Sequence, residues 1–347
     1  MKQNLIVKLQ EILSNQGIDE IEIIQQIKNL IYEYETHDGL IKESKTISLL
    51  VSENFKTIQS DVINTNIIKS GYRDLDSAIG GLLLGEFVVV GGRPSMGKTQ
   101  FLVSLVLNVS ITNPVLYFTF DLSESFLTNR FISALSGVAV SKIIQNNLNP
   151  FEKNQISSIE DLLSSRKIFI NDSSSNSTSS IKSLCKKHIQ EDGVKVIVVD
   201  FLQMMSSSRY RNNRELEIGY ISRELKNIAK DNNVCVIATS QLNRSVETRG
   251  GNKRPQLSDL RDSGSIEQDA DKVIFIHRPE YYGFMEDEDG NDLSGIVELI
   301  IAKNRNGKID YVTVRRDSNF TRFIDIDKTE NYFAISSSRL NEIDNPF

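Results

Sequence analysis

Gly92-Arg93-Pro94-Ser95-Met96-Gly97-Lys98-Thr99 decides how the rest of the chain is read. It follows the pattern G-x-x-x-x-G-K-T, a phosphate-binding loop. The run Phe87-Val88-Val89-Val90 before it reads as a buried strand, and 100–107 after it continues as a helix. That context matters because the pattern works only between a strand and a helix. Glycines let the backbone wrap closely with its N–H groups turned inward. The helix start adds partial positive charge. Lys98 is then placed to reach the β- and γ-phosphates of a nucleotide, and Thr99 to set its hydroxyl on Mg²⁺.

Outward from this loop the texture is α/β. Val- and Ile-rich runs at 86–91, 114–120, 194–199, 234–239 and 272–276 predict strands of a buried parallel sheet. Helical patterns at 98–109, 123–136, 151–165, 178–191 and 214–231 separate them. Ile218, Ile221, Leu225 and Ile228 keep a helical stripe in the last. The alternation predicts a doubly wound sheet with its site at the carboxyl ends of the strands. Beyond Ser294 three strands follow closely, at 296–302, 309–316 and 320–326, with Asn306-Gly307 as a hairpin signal. The polar stretch 172–180 reads as a solvated loop.

Before the α/β region, residues 1–36 predict two short helices. Leu5, Leu9, Ile12 and Leu13 form one stripe; Ile24, Ile27, Ile31 and Tyr34 form the other, with Gly17 and Asp19 at the turn. A third amphipathic helix over 41–62 carries Ile47, Val51, Phe55, Ile58 and Val62 on one face. It wants a partner groove or serves as an ordinary first helix of the main domain. The expected organisation is a helical region at 1–40, a linker helix at 41–65, the main domain at 66–330 and a tail at 331–347.

Composition narrows the class. The 347 residues are 39% hydrophobic and 25% charged, both globular values, and no run of 18 apolar residues predicts a transmembrane helix. The start of the chain is amphipathic rather than a secretory signal. Cys185 and Cys235 lack metal spacing and fit buried thiols in a reducing cytoplasm. His37, His188 and His277 are scattered, which excludes a histidine metal cluster. The net charge of −6 means that nucleic-acid binding must rest on local charge.

Chemistry-bearing residues recur at the predicted strand tips. Val194 to Val199 ends in Asp200, a carboxylate placed to hold Mg²⁺ beside a P-loop. Asp121 is the first acid after 114–120, and either orients an attacking water or caps the next helix. Gln241 ends another strand and can sense a γ-phosphate. Between Arg209 and Arg254 ten basic residues face five acids, and the excess sits mostly in two polar loops, 206–213 and 244–258. Arg209, Arg211, Arg244, Arg249, Lys253 and Arg254 can bind phosphates without reading sequence. Tyr210 is the one aromatic there, so base stacking is secondary.

Five stretches come in the order known from the DnaB-type replicative helicases, and the chain resembles that family over roughly 66–326. They are Arg93 to Thr99, Asp200-Phe201-Leu202-Gln203-Met204-Met205, Ser240-Gln241-Leu242-Asn243-Arg244, Asp259 to Asp271 and Lys303-Asn304-Arg305-Asn306-Gly307. Gly71-Tyr72-Arg73-Asp74-Leu75-Asp76 resembles the family's entry into its motor domain.

The resemblance implies a RecA-like P-loop fold and a ring, usually a hexamer, around single-stranded DNA. It implies ATP hydrolysis with Mg²⁺ between subunits and 5′-to-3′ movement on the encircled strand. It implies that Lys303 and Arg305 act in trans on a neighbour's γ-phosphate, Arg305 as the arginine finger. Arg261, Asp262 and Gly264 fall on the family's DNA-tracking segment, and the helix at 41–62 resembles its linker helix. Two departures stand out. Asp121 occupies the position of the family's catalytic glutamate. About forty residues stand where the family carries a larger helical domain, so a primase or loader partner is not implied with the rest. A DNA-binding ATPase switch with slow hydrolysis and little unwinding is the competing expectation.

Overall fold

The computed structural model describes residues 8–10, 12–13, 20–37, 44–59, 66–207, 209–210, 212–260, 264–317 and 319–326. The chain divides into two compact units, 1–64 and 65–347.

In the first unit, residues 8–10 and 12–13 are helical. Helices α1 (Glu20–His37) and α2 (Ile47–Gln59) follow. Helical segments thus lie within each of the three stretches expected to be helical. Leu5, Gly17, Asp19 and Val62 lie outside the described residues. On α2, Ile47, Val51, Phe55 and Ile58 are all exposed, so its apolar stripe is open among the described residues.

The second unit opens with β1 (Ile67–Ile68), α3 (Arg73–Ile79) and β2 (Leu82–Leu83). Then come β3 (Phe87–Gly92), α4 (Lys98–Val109), β4 (Val115–Thr119), α5 (Glu124–Ser136) and α6 (Val140–Ile144). Next are α7 (Pro150–Ser158), α8 (Glu160–Ser164), β5 (Ile168–Asn171), α9 (Thr178–Asp192) and β6 (Val196–Asp200). The remainder is α10 (Arg214–Asn232), β7 (Cys235–Gln241), α11 (Ser245–Thr248), α12 (Gly264–Asp269), β8 (Lys272–His277), β9 (Ile296–Asn304), β10 (Asp310–Arg316) and β11 (Phe323–Asp325).

Nine strands make one sheet, ordered β11-β10-β9-β8-β3-β7-β6-β4-β5. The run from β8 to β5 is parallel, and β9 to β11 extend it antiparallel. This is the RecA-like α/β arrangement expected. The apolar strands are explained by their alternation. In β3, Val88 and Val90 face a core with Leu102, Val106, Leu127 and Phe131, while Phe87 and Val89 face another with Ile181, Ile218, Ile221, Leu225 and Ile228. Both faces are covered, so both phases of the strand must be apolar. The α10 stripe read from spacing is fully buried, each side chain contributing about 1.5–3 kcal/mol.

Three local expectations need correction. The helix expected at 151–165 is two helices that meet at Ile159, the first held by an Asn149–Glu152 capping box. The stretch 172–180 is a loop only to Ser177, whose hydroxyl accepts from the Ser180 N–H and caps α9. Strand β5 is absent from the expected set: its four residues, Ile168-Phe169-Ile170-Asn171, are too few to show a period and pair only with β4 at the sheet edge.

Candidate functional site

The phosphate loop leaves the carboxyl end of β3 between β7 and β8, where the strand order changes direction. Ser95 and Gly97 both take positive φ, 67° and 91°. At Gly97 a Cβ would also lie 2.8 Å from the Phe323 ring, so both conformation and space require glycine there. Pro94 is exposed and Met96 is buried, which fixes the loop on the core beneath it. Lys98 folds back, its Nζ donating to the Gly92 and Arg93 carbonyls at 2.9 and 3.1 Å. Burial pushes the lysine down to about 8, against the raising effect of the Asp200 carboxylate.

Asp200 ends β6 and is buried among hydroxyls. Thr99 Oγ1 donates to Oδ2 at 2.7 Å, Tyr117 Oη to Oδ2 at 3.1 Å and Thr239 Oγ1 to Oδ1 at 2.5 Å. Burial and the adjacent carboxylate hold the Tyr117 phenol well above its usual value, so it stays a donor. A hydroxyl and a carboxylate are hard oxygen donors of the kind Mg²⁺ takes. Among the described residues no group of three or more His, Cys, Asp or Glu side chains could hold a metal alone. The donor set therefore fits a cation that arrives with phosphate oxygens.

Asp121 is exposed just past β4. The capping alternative does not hold: Ser123 is the N-cap of α5, its hydroxyl accepting from Phe126 N–H. Gln241 ends β7, with its backbone N–H donating to Gln203 Oε1 at 3.2 Å, while Gln203 Nε2 donates to Ser240 Oγ at 2.8 Å. In the sequence Gln203 is only one member of a motif; nothing in its spacing assigns it this bridging role. Arg93 is likewise only a loop member there. Its guanidinium donates to Leu242 O at 2.8 Å and to Glu247 at 2.9 Å, tying the phosphate loop to α11.

Lys303 and Arg305 lie at the other end of the sheet. Lys303 pairs with Val273 in β8, and the Arg305 N–H donates to Asp271 O. Asp271 in turn donates its N–H to Phe87 O, at the start of β3. The six residues of β3 span roughly 17 Å. Neither cation can reach the phosphate loop of its own chain. Burial and the neighbouring Arg305 both hold Lys303 below the usual lysine range.

The two basic loops leave the tips of β6 and β7, the same edge as the phosphate loop. Arg209 and Arg244 are exposed, Arg209 over the Tyr210 and Tyr220 rings at 5.7 Å each. Lys253 sits over Tyr282 at 5.2 Å. Arg249 and Arg254 are engaged inside the protein: Arg249 pairs with buried Asp259 and donates to Arg254 O, and Arg254 donates to Glu298 at 2.8 Å while covering Tyr311. Their charge braces the loop, which loop composition alone does not reveal. Gly264 opens α12; Arg211, Arg261 and Asp262 lie outside the described residues. Nearby His277, at the tip of β8, is pushed down to about 4 by burial and stacks on Tyr282.

The Lys98 environment predicts a pH dependence. Phosphate favours the charged lysine, so nucleotide affinity should be flat below pH 8 and fall up to about tenfold per unit above it. Fluorescent-nucleotide titrations from pH 7 to 9.5 measure this, and Lys98→Arg should flatten the curve.

Comparisons with known proteins match most of the chain. The sequence profile of the DnaB-like helicase C-terminal domain matches residues 67–325. The replicative DNA helicase DnaB of Haemophilus influenzae is 36% identical over 326 residues, covering 89% of this chain and 68% of that protein. The replicative DNA helicase DnaB of Geobacillus stearothermophilus is 35% identical over 295 residues, covering 84% and 64%. Among solved structures, one ATPase domain superposes with a TM-score of 0.75 at 30% identity, covering 82% of this chain and all of that one. A DnaB-like replicative helicase solved for its interactions with primase gives 0.72 at 29% identity, covering 94% and 77%.

Proposed function

This chain belongs to the DnaB-like helicase family and is an ATP-hydrolysing replicative DNA helicase, and from that premise we propose that it works as a ring, a hexamer, that hydrolyses ATP at subunit interfaces and moves 5′ to 3′ on single-stranded DNA. One observation carries the reading. The P-loop with Asp200 and the pair Lys303–Arg305 stand at opposite ends of the sheet. Each copy holds two half-sites, and a site becomes complete only between copies.

Within an interface the loop 92–97 and Lys98 bind the phosphates, and Thr99 with Asp200 holds the cation. Bound Mg²⁺ supplies charge neutralisation on the phosphate oxygens. Asp121 orients the attacking water and accepts its proton. Gln241 sits where the γ-phosphate is felt, and through Gln203 its movement reaches the root of the 201–213 loop. The neighbour's Arg305 and Lys303 neutralise charge that develops during transfer.

Single-stranded DNA is held by Arg209, Arg211, Arg244 and Lys253, with Arg261, Asp262 and Gly264 along the backbone and Arg249 and Arg254 as braces. The exposed stripe of α2 docks on an adjacent subunit.

The test is strand displacement on a forked substrate, with ATP hydrolysis followed in parallel. Single-stranded DNA should stimulate hydrolysis, and a fork with a free 5′ tail should be unwound while one with only a 3′ tail is not. Unwinding of the 3′-tailed substrate alone would reverse the polarity, and hydrolysis indifferent to DNA would remove the motor.

A further inference from the structure

The carboxylate of Asp271 is buried and multiply bonded, and it lies outside the phosphate site. Its side chain is 7% exposed. Oδ2 accepts from the Phe87 N–H at 2.8 Å and from Lys226 Nζ at 2.6 Å. Oδ1 lies 3.3 Å from Arg305 Nη1. The backbone repeats the connection, since Asp271 donates to Phe87 O and Arg305 donates to Asp271 O. The hairpin tip that follows is fixed a second time. Asn306 Nδ2 donates to Glu86 Oε1 at 2.9 Å, and Glu86 is itself paired with the fully buried Lys272. Arg305 Nη2 also donates to Gln268 O at 2.6 Å, at the end of α12.

A long side chain on a hairpin has many rotamers. Here its guanidinium is held on two sides by its own subunit, yet the Arg305 side chain remains 47% exposed. The exposed part of the side chain can meet a partner. Charge-assisted contacts from a buried acid fix such a fork far more firmly than solvent does. The anchor also has a defined origin. Asp271 grips the first residue of β3, and the last residues of β3 lead into the phosphate loop.

We propose that Asp271 is a positioning residue that aims Arg305 at the nucleotide of the neighbouring subunit, with Glu86 fixing the same hairpin through Asn306. In this arrangement β3 is a rigid rod with one nucleotide site at each end: its own at Gly92 and, through Asp271 and Arg305, the neighbour's. The inference rests on the reading above that Arg305 acts in trans.

Asp271→Asn keeps the shape and removes the charge. It should lower kcat for ATP hydrolysis about 10- to 100-fold, the size of one lost charge-assisted contact, with KM nearly unchanged. Asn306→Ala is a surface change that leaves the fold in place, and it should lower kcat several-fold in the same manner. Lys226→Gln weakens the same cluster without touching the arginine, so it should lower the melting temperature and leave kcat within about threefold.

Co-expression with Lys98→Ala subunits separates aiming from folding. A Lys98→Ala subunit offers an intact Arg305 and a dead phosphate loop; an Asp271→Asn subunit offers the reverse. Mixed rings should hydrolyse ATP several-fold faster than the sum of the two pure rings. Failure of Asp271→Asn and Asn306→Ala to be complemented, while Arg305→Ala is complemented, would overturn the positioning role. Failure of Arg305→Ala itself to be complemented would overturn the trans reading beneath it, and the inference with it.

Discussion

Arg305→Ala is expected to reduce kcat for ATP hydrolysis by about 10³- to 10⁵-fold while nucleotide affinity changes little. The asymmetry follows from where the charge appears. In the proposed role the guanidinium stabilises charge that builds during phosphoryl transfer, so it acts on the transition state more than on bound nucleotide. Steady-state hydrolysis with a separate nucleotide-binding titration resolves the two. Arg305→Lys should recover only a small part of the loss, because an ammonium cannot reproduce the planar fork held between Asp271 and Gln268. Folding is a minor concern. Asp271 keeps Lys226 and the Phe87 N–H when Arg305 is truncated, so the buried acid stays paired. A kcat within tenfold of the natural chain, with normal melting, would mean that Arg305 does not reach the reacting phosphate.

The phosphate site and the sheet were legible in the sequence for a common reason: each depends on local pattern. The P-loop is a contiguous string, and the parallel strands are Val- and Ile-rich because both their faces are buried. Asp200 and Gln241 follow, since each simply ends such a strand. What stayed hidden depends on pairing between distant segments. Arg249 and Arg254 look like free positive charge in a polar loop, yet Asp259 and Glu298 neutralise them. Glu298 lies on β9, and nothing in the loop announces it. Asp271 reads as one acid in a run of acids; its bonds to Phe87 and Arg305 span the sheet. Strand β5 is too short for periodicity and exists because β4 offers it an edge. The sequence leaves Asp121 open as the cap of α5, and only the hydrogen bond to Ser123 shows which residue does the capping.

That last detail frees Asp121 for chemistry and sets the second large effect. Asp121→Asn is expected to reduce hydrolysis about 10²- to 10⁴-fold, the usual contribution of a positioned general base. Stability should not follow, because Ser123 does the capping. The backbone around the acid is firmly held. The Phe120 N–H donates to Asp200 O at 3.0 Å, and the Thr119 hydroxyl donates to Leu122 O at 2.8 Å. The carboxylate therefore hangs from a fixed point beside Asp200, and only the side-chain length sets its reach. Aspartate is one methylene shorter than glutamate, and small misplacements of a reacting group can cost about 100-fold in rate. Asp121→Glu should accordingly raise kcat by about tenfold, read in the same hydrolysis assay with and without single-stranded DNA. If glutamate instead slows the reaction, the site is built around the shorter acid. If neither change alters kcat, Asp121 is not the base, and Glu124, in the first turn of α5, is the next acid to replace.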